Sequence, residues 1–136
     1  MENPSILSHV SVGADDLPRA LAFYDAVLAT VGARRLLEEP KHDPAAVAYG
    51  KMFPEFWVQR PHDGRAAETA NGVHFGFHAS SKEEVDAFYE AALEAGGAGD
   101  GPPGPRPLYG PEYYGCFVRD PDGHKIEAMI WDENAA

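Results

Sequence analysis

Two histidines and one glutamate have the side chains and the spacing from which a metal centre can be built. His9 and His74 lie 65 residues apart, and each stands seven residues ahead of a helix-capping residue, Asp16 or Ser81. Glu127 sits inside KIEAMIW, between Ile126 and Ala128. A carboxylate on an apolar strand is costly to bury unless a cation or hydrogen-bond donors meet it, so Glu127 demands a partner. Two imidazoles and one carboxylate with open positions form the set preferred by Fe(II), and the same set suits Mn, Ni or Zn. A divalent ion held by His9, His74 and Glu127 would act as a Lewis acid that stabilises developing negative charge on a bound small molecule. Glu127, Tyr109, whose hydroxyl is carried on a Gly- and Pro-rich stretch, and a bound water are the candidates for proton transfer. Trp57, Gln59, Phe75, Arg106 and Tyr113 are expected to line the substrate pocket, with Arg106 and Arg60 available to an anionic group. His42, His62, His78 and His124 are assigned surface or structural roles.

These residues meet only if the two stretches that carry the histidines fold alike, and the sequence does repeat. At an offset of 65, Ala22 to Gly32 (AFYDAVLATVG) aligns with Ala87 to Gly97 (AFYEAALEAGG). The alignment from His9 to Gly32 covers 24 positions with eight identities, where chance gives about one or two. Each copy opens with a strand, Ile6 to Val12 or Val73 to Ala79. A helix follows, capped in the first copy by Asp16 with Pro18 in the opening turn, and in the second by a Ser81–Glu84 capping box. Gly32 and Gly96 or Gly97 end the helices. Three strands complete the first copy, at Arg34 to Glu38, Ala45 to Tyr49 and Glu55 to Arg60. In the second, GGAGDGPPGPRPLYGP leaves room for at most a short edge strand before a loop. Tyr113 to Arg119 and Lys125 to Trp131 then form a hairpin about a DPDG turn. The expected fold is α+β: two tandem βαβββ modules forming a curved mixed sheet around a cleft. It is one domain over 1–136, with module one at about 4–61, a linker at about 62–71 and module two at about 72–133.

Composition narrows the partners. Eleven Lys and Arg against 22 Asp and Glu give a net charge of −11, which repels phosphate backbones and anionic lipid. No nucleic-acid or membrane partner is expected. Cys116 is the single cysteine, read as a small buried hydrophobe, and MENPSILSHV lacks the pattern of a secretion signal. The expected location is the cytoplasm.

His9 followed by DDLPRALAFY, His74 on the second opening strand, and DPDGHKIE ending at Glu127 resemble the vicinal oxygen chelate superfamily. That group includes glyoxalase I, extradiol dioxygenases, fosfomycin-resistance thiol transferases, epimerases and bleomycin-binding proteins. The resemblance implies paired βαβββ modules around a metal site whose ligands lie on the first and last strands of each module, here His9, His74 and Glu127. The fourth such position falls within EFWVQRP, which has no carboxylate at its middle. Trp57 and Gln59 share a face there, so the position is apolar or an amide. That departure weighs against glyoxalase I chemistry, which needs a base to take a proton beside a carbonyl. The resemblance implies a divalent-metal enzyme of lyase, isomerase, thiol transferase or dioxygenase type acting on a small oxygen-bearing substrate. The alternative is a non-catalytic binding protein for an antibiotic-type molecule. A homodimer is expected, and the modules can pair within a chain or between two chains.

Overall fold

Local sequence sets the two helices that organise everything else. The computed structural model describes residues 3–136. Helix α1 spans Leu17–Ala29; the Asp16 side chain accepts the Arg19 N–H at 3.1 Å, Pro18 occupies the first turn, and Gly32 follows with φ +83°. Helix α2 spans Lys82–Glu94; the Ser81 hydroxyl accepts the Glu84 N–H at 3.1 Å, and the Glu84 carboxylate reaches back to the Ser80 N–H at 2.9 Å. Each helix buries one stripe. Leu17, Ala20, Leu21, Tyr24, Val27 and Leu28 face inward on α1, and Val85, Phe88 and Ala92 on α2.

Strands β1 (Val10–Gly13), β2 (Arg34–Glu39), β3 (Ala46–Gly50) and β4 (Phe56–Gln59) form one sheet in the order β1-β4-β3-β2. Strands β5 (His74–His78), β6 (Ala98–Pro105), β7 (Tyr113–Arg119) and β8 (Lys125–Trp131) form a second in the order β5-β8-β7-β6. The repeat in sequence is thus a repeat in topology. In both sheets the opening strand runs parallel to the last strand, and the other pairings are antiparallel. The expected α+β architecture of two tandem βαβββ modules is present, as two four-stranded sheets rather than one continuous curved sheet.

One apolar core draws on both modules, joining Phe23, Tyr24, Val47 and Val58 of the first to Phe88, Val118, Ile126 and Ala128 of the second. Phe56 of module one meets Phe75 and Phe77 of module two at ring separations of 6.0 and 5.1 Å. Polar contacts lock the same seam. The Tyr24 hydroxyl donates to buried Asp120 at 2.6 Å, and the His124 imidazole lies 2.7 Å from the Gly13 carbonyl.

Two expectations need correction. The Gly- and Pro-rich segment after α2 is not a short strand followed by a loop: β6 runs for eight residues. It tolerates Pro102, Pro103 and Pro105 because it is an edge strand, with β7 on one side only, and because register shifts between Gly99 and Gly101 and between Gly101 and Gly104 absorb the irregularity. The first strand begins at Val10 rather than Ile6. Its partner β4 begins only at Phe56, after Pro54, and the ladder ends with the Val10 N–H bonded to the Glu55 carbonyl. Ile6 and Leu7 are left 99% and 68% exposed, and His9 falls just ahead of the strand.

Candidate functional site

Strand alternation sorts module two into two faces. Ile126 and Ala128 on β8, Cys116 and Val118 on β7, and Phe77 on β5 join the core against α2, so Glu127 and Phe117 turn to the opposite face. Glu127 is nonetheless 9% exposed. Its Oε1 lies 3.1 Å from His74 Nε2, and its Oε2 accepts the Tyr113 hydroxyl at 2.5 Å. The partners that a buried carboxylate demands are therefore an imidazole and a phenol.

Two glycines make room for this. Gly76 stands opposite Glu127 on β5, and a Cβ there would lie 3.2 Å from Oε1. Gly115 is two residues after Tyr113 on β7, on the same face, and a Cβ there would come within 2.3 Å of the Tyr113 hydroxyl. The tyrosine ring thus lies over Gly115 to reach Glu127. Burial, then the hydrogen bond to Glu127, raises the Tyr113 hydroxyl well above the ordinary phenol range, so it stays a donor at physiological pH. Tyr109 and Trp131 brace its ring edge-on, at 5.0 and 5.6 Å between centres.

Cations border the same face. Phe117, opposite Glu127 on β7, has the His74 ring 6.0 Å away, Lys125 Nζ 4.9 Å from its centre and the Arg106 guanidinium 5.8 Å from its centre. Lys125 is tied to Asp100 at 3.5 Å, whereas Arg106 donates to the carbonyls of Pro102 at 2.7 Å and Gly104 at 3.2 Å.

Module one presents a different set. Ser11 stands opposite Trp57 on β4 as Gly76 stands opposite Glu127 on β8, so register places Trp57 where module two has its carboxylate. The open fourth position is thereby apolar. Gln59 is two residues on, paired with Gly13, and borders a separate cavity of about 360 Å³ beside the 61–68 segment. His9 Nδ1 lies 2.9 Å from the Ser8 hydroxyl. His9 and His74 both border a cavity of about 530 Å³ with Val10, Tyr49, Phe56 and Phe75, but Glu127 does not. Among the described residues, no group of three or more His, Cys, Asp or Glu could hold a metal ion. Within one chain, then, His74 and Glu127 come together and His9 does not join them.

The comparisons with known proteins agree with this architecture. The family model for the Glyoxalase/Bleomycin resistance protein/Dioxygenase superfamily matches residues 6–128. The chain belongs to that superfamily. A glyoxalase/bleomycin resistance protein from Albidiferax ferrireducens superposes with a TM-score of 0.80 at 36% identity, covering 92% of this chain and 98% of that one. A lactoylglutathione lyase of Salmonella typhimurium is 31% identical over 125 residues, 90% of each chain. A putative lactoylglutathione lyase of Brassica oleracea is 30% identical over 122 residues, but this chain spans only 43% of its length.

Within this glyoxalase-superfamily fold, the predicted pocket residues do not all converge. Tyr113 and Arg106 lie on the Glu127 side of module two, Phe75 faces the core and the larger cavity, and Trp57 and Gln59 lie on module one. Tyr109, the hydroxyl favoured from sequence, is 57% exposed, and it is Tyr113 that meets the carboxylate. A signal for Tyr113 was present in the sequence: a tyrosine followed two residues later by glycine on a strand reads as a ring laid along its own sheet face.

Proposed function

We propose that this chain is a glyoxalase-type enzyme acting on a small oxygen-bearing substrate, with a divalent metal held at the His74–Glu127 pair. The observation that supports this most directly is a nearly buried Glu127 with one oxygen facing the His74 imidazole and the other held by Tyr113. The nitrogen and oxygen donors suit Fe, Mn, Ni or Zn. They supply two ligands, and the third, His9, is out of place within a single chain. We therefore read the functional unit as a cytoplasmic homodimer in which module two meets module one of a second copy, bringing the partner subunit's His9 toward the pair. A bound divalent ion supplies Lewis-acid stabilisation of negative charge on substrate oxygen.

The chain's own groups do the rest. Among the described residues Glu127 is the carboxylate at the site and our first candidate to exchange a proton with substrate, because Trp57 occupies the corresponding place in module one. Tyr109, packed on the buried Tyr113 ring, bounds the substrate on the Trp131 side, and Arg106, beside Phe117, stands on the same face to meet an anionic substituent. The lyase names of the relatives direct the first assay to lactoylglutathione formation. The expected result is turnover that needs added Ni, Mn, Zn or Fe(II) and is lost in His74→Ala. A protein that neither binds nor responds to any of these ions overturns the proposal.

A non-catalytic binding protein is the second reading, favoured by Trp57 in place of a second carboxylate and by the Tyr109–Tyr113–Trp131 aromatic cluster in a chain of net charge −11. It predicts a thermal shift with cationic aromatic antibiotics that survives His74→Ala.

A further inference from the structure

We propose that Tyr113 is a positioning residue for Glu127: its hydroxyl holds one carboxylate oxygen so that the other is presented at His74. The proposal deepens the metal-site reading above and rests on it for its consequence, though not for the contact itself.

Packing alone does not account for the arrangement. Tyr109 and Trp131 would brace a phenylalanine ring as well as a tyrosine ring, yet the hydroxyl of Tyr113 lies 2.5 Å from Glu127 Oε2 and the residue is 3% exposed. Residue 115 lacks a Cβ, which would stand 2.3 Å from that hydroxyl, 2.6 Å from the ring carbon that bears it and 2.9 Å from the Ala128 carbonyl oxygen, so the glycine admits both the ring and its hydroxyl. Glycine inside a strand weakens the strand, and Gly115 is in the middle of β7, between two paired neighbours. Gly76 leaves the matching gap on the other side of the carboxylate, against Oε1.

A free carboxylate rotates and offers either oxygen. With Oε2 committed to a short hydrogen bond, Glu127 can offer only Oε1, next to His74 Nε2, and the rotation that a ligand would otherwise have to freeze is already lost. Module one lacks the device. Ala48 stands opposite Trp57 as Phe117 stands opposite Glu127, and the residues two and four positions earlier are Ala46 and Pro44 instead of Gly115 and Tyr113.

Two measurements on the full chain test this. The first is a chemical-denaturation cycle on metal-free protein with Tyr113→Phe, Glu127→Gln and the double variant. The expected result is that the double variant loses no more than the worse single one, and simple additivity overturns the proposal. The second is titration calorimetry with Ni(II) alone. Tyr113→Phe is expected to weaken binding roughly ten- to a hundredfold with circular dichroism unchanged, as for loss of an outer-shell hydrogen bond to a ligand. An affinity within about twofold of the unsubstituted protein overturns it. If the unsubstituted protein takes up no divalent ion, the metal reading fails, and the denaturation cycle by itself decides for or against the Tyr113 contact. Ala46→Gly in module one is expected to leave Ni(II) binding unaltered.

Discussion

The two modules share a backbone plan and divide the chemistry unequally. Strand order, pairing direction, helix position and the register of the parallel pair are the same in both. At the matched positions module two has Glu127, Tyr113, Gly115 and Gly76, whereas module one has Trp57, Pro44, Ala46 and Ser11. A duplicated scaffold thus constrains the core side of each sheet and leaves the other side free to diverge. The core residues must fill one shared interior at close packing, and substitutions there are felt at once.

The largest difference is expected in activity. Glu127→Gln should lower turnover by about 10²–10⁴-fold, the usual worth of a positioned acid or base. Trp57→Phe, at the matched place in module one, should leave kcat in place and raise KM, as steady-state kinetics would show. Equal losses in kcat would mean that the modules contribute alike.

Stability should report the shared scaffold instead. Phe23 and Phe88 are repeat-related and both fully buried. Phe23→Ala and Phe88→Ala should each cost about 3–5 kcal/mol in urea denaturation. A large inequality would show that one module folds around the other.

The next tyrosines along separate the copies again. Tyr24 donates to buried Asp120 across the module seam, while its counterpart Tyr89 is only partly buried. Tyr24→Phe should cost about 1–3 kcal/mol, because the Asp120 carboxylate loses a donor. Tyr89→Phe should be near neutral in the same assay.

The smallest effect concerns Cys116, whose thiol burial pushes up to about 12. The sign is toward protonation, so at pH 8 little thiolate exists in the folded state. A disulfide-exchange reagent should leave native protein almost unmodified and titrate one thiol in denaturant.

Much of the molecule was legible in the chain itself. The repeat of AFYDAVLATVG as AFYEAALEAGG, the Asp16 and Ser81 caps, and the DPDG hairpin follow from local rules of capping, periodicity and turn chemistry, which act over a few residues. So did the need of Glu127 for partners, since burial of a charge in an apolar strand is costly wherever the strand lies. Tertiary structure decided which groups answer that need. It set Tyr113 beside Glu127 and left Tyr109 largely exposed, placed Trp57 opposite Ser11 as Glu127 stands opposite Gly76, and left His9 short of β1 because β4 begins only after Pro54. Those outcomes depend on how one strand is paired with another, and a shift of a single residue would send each side chain to the opposite face.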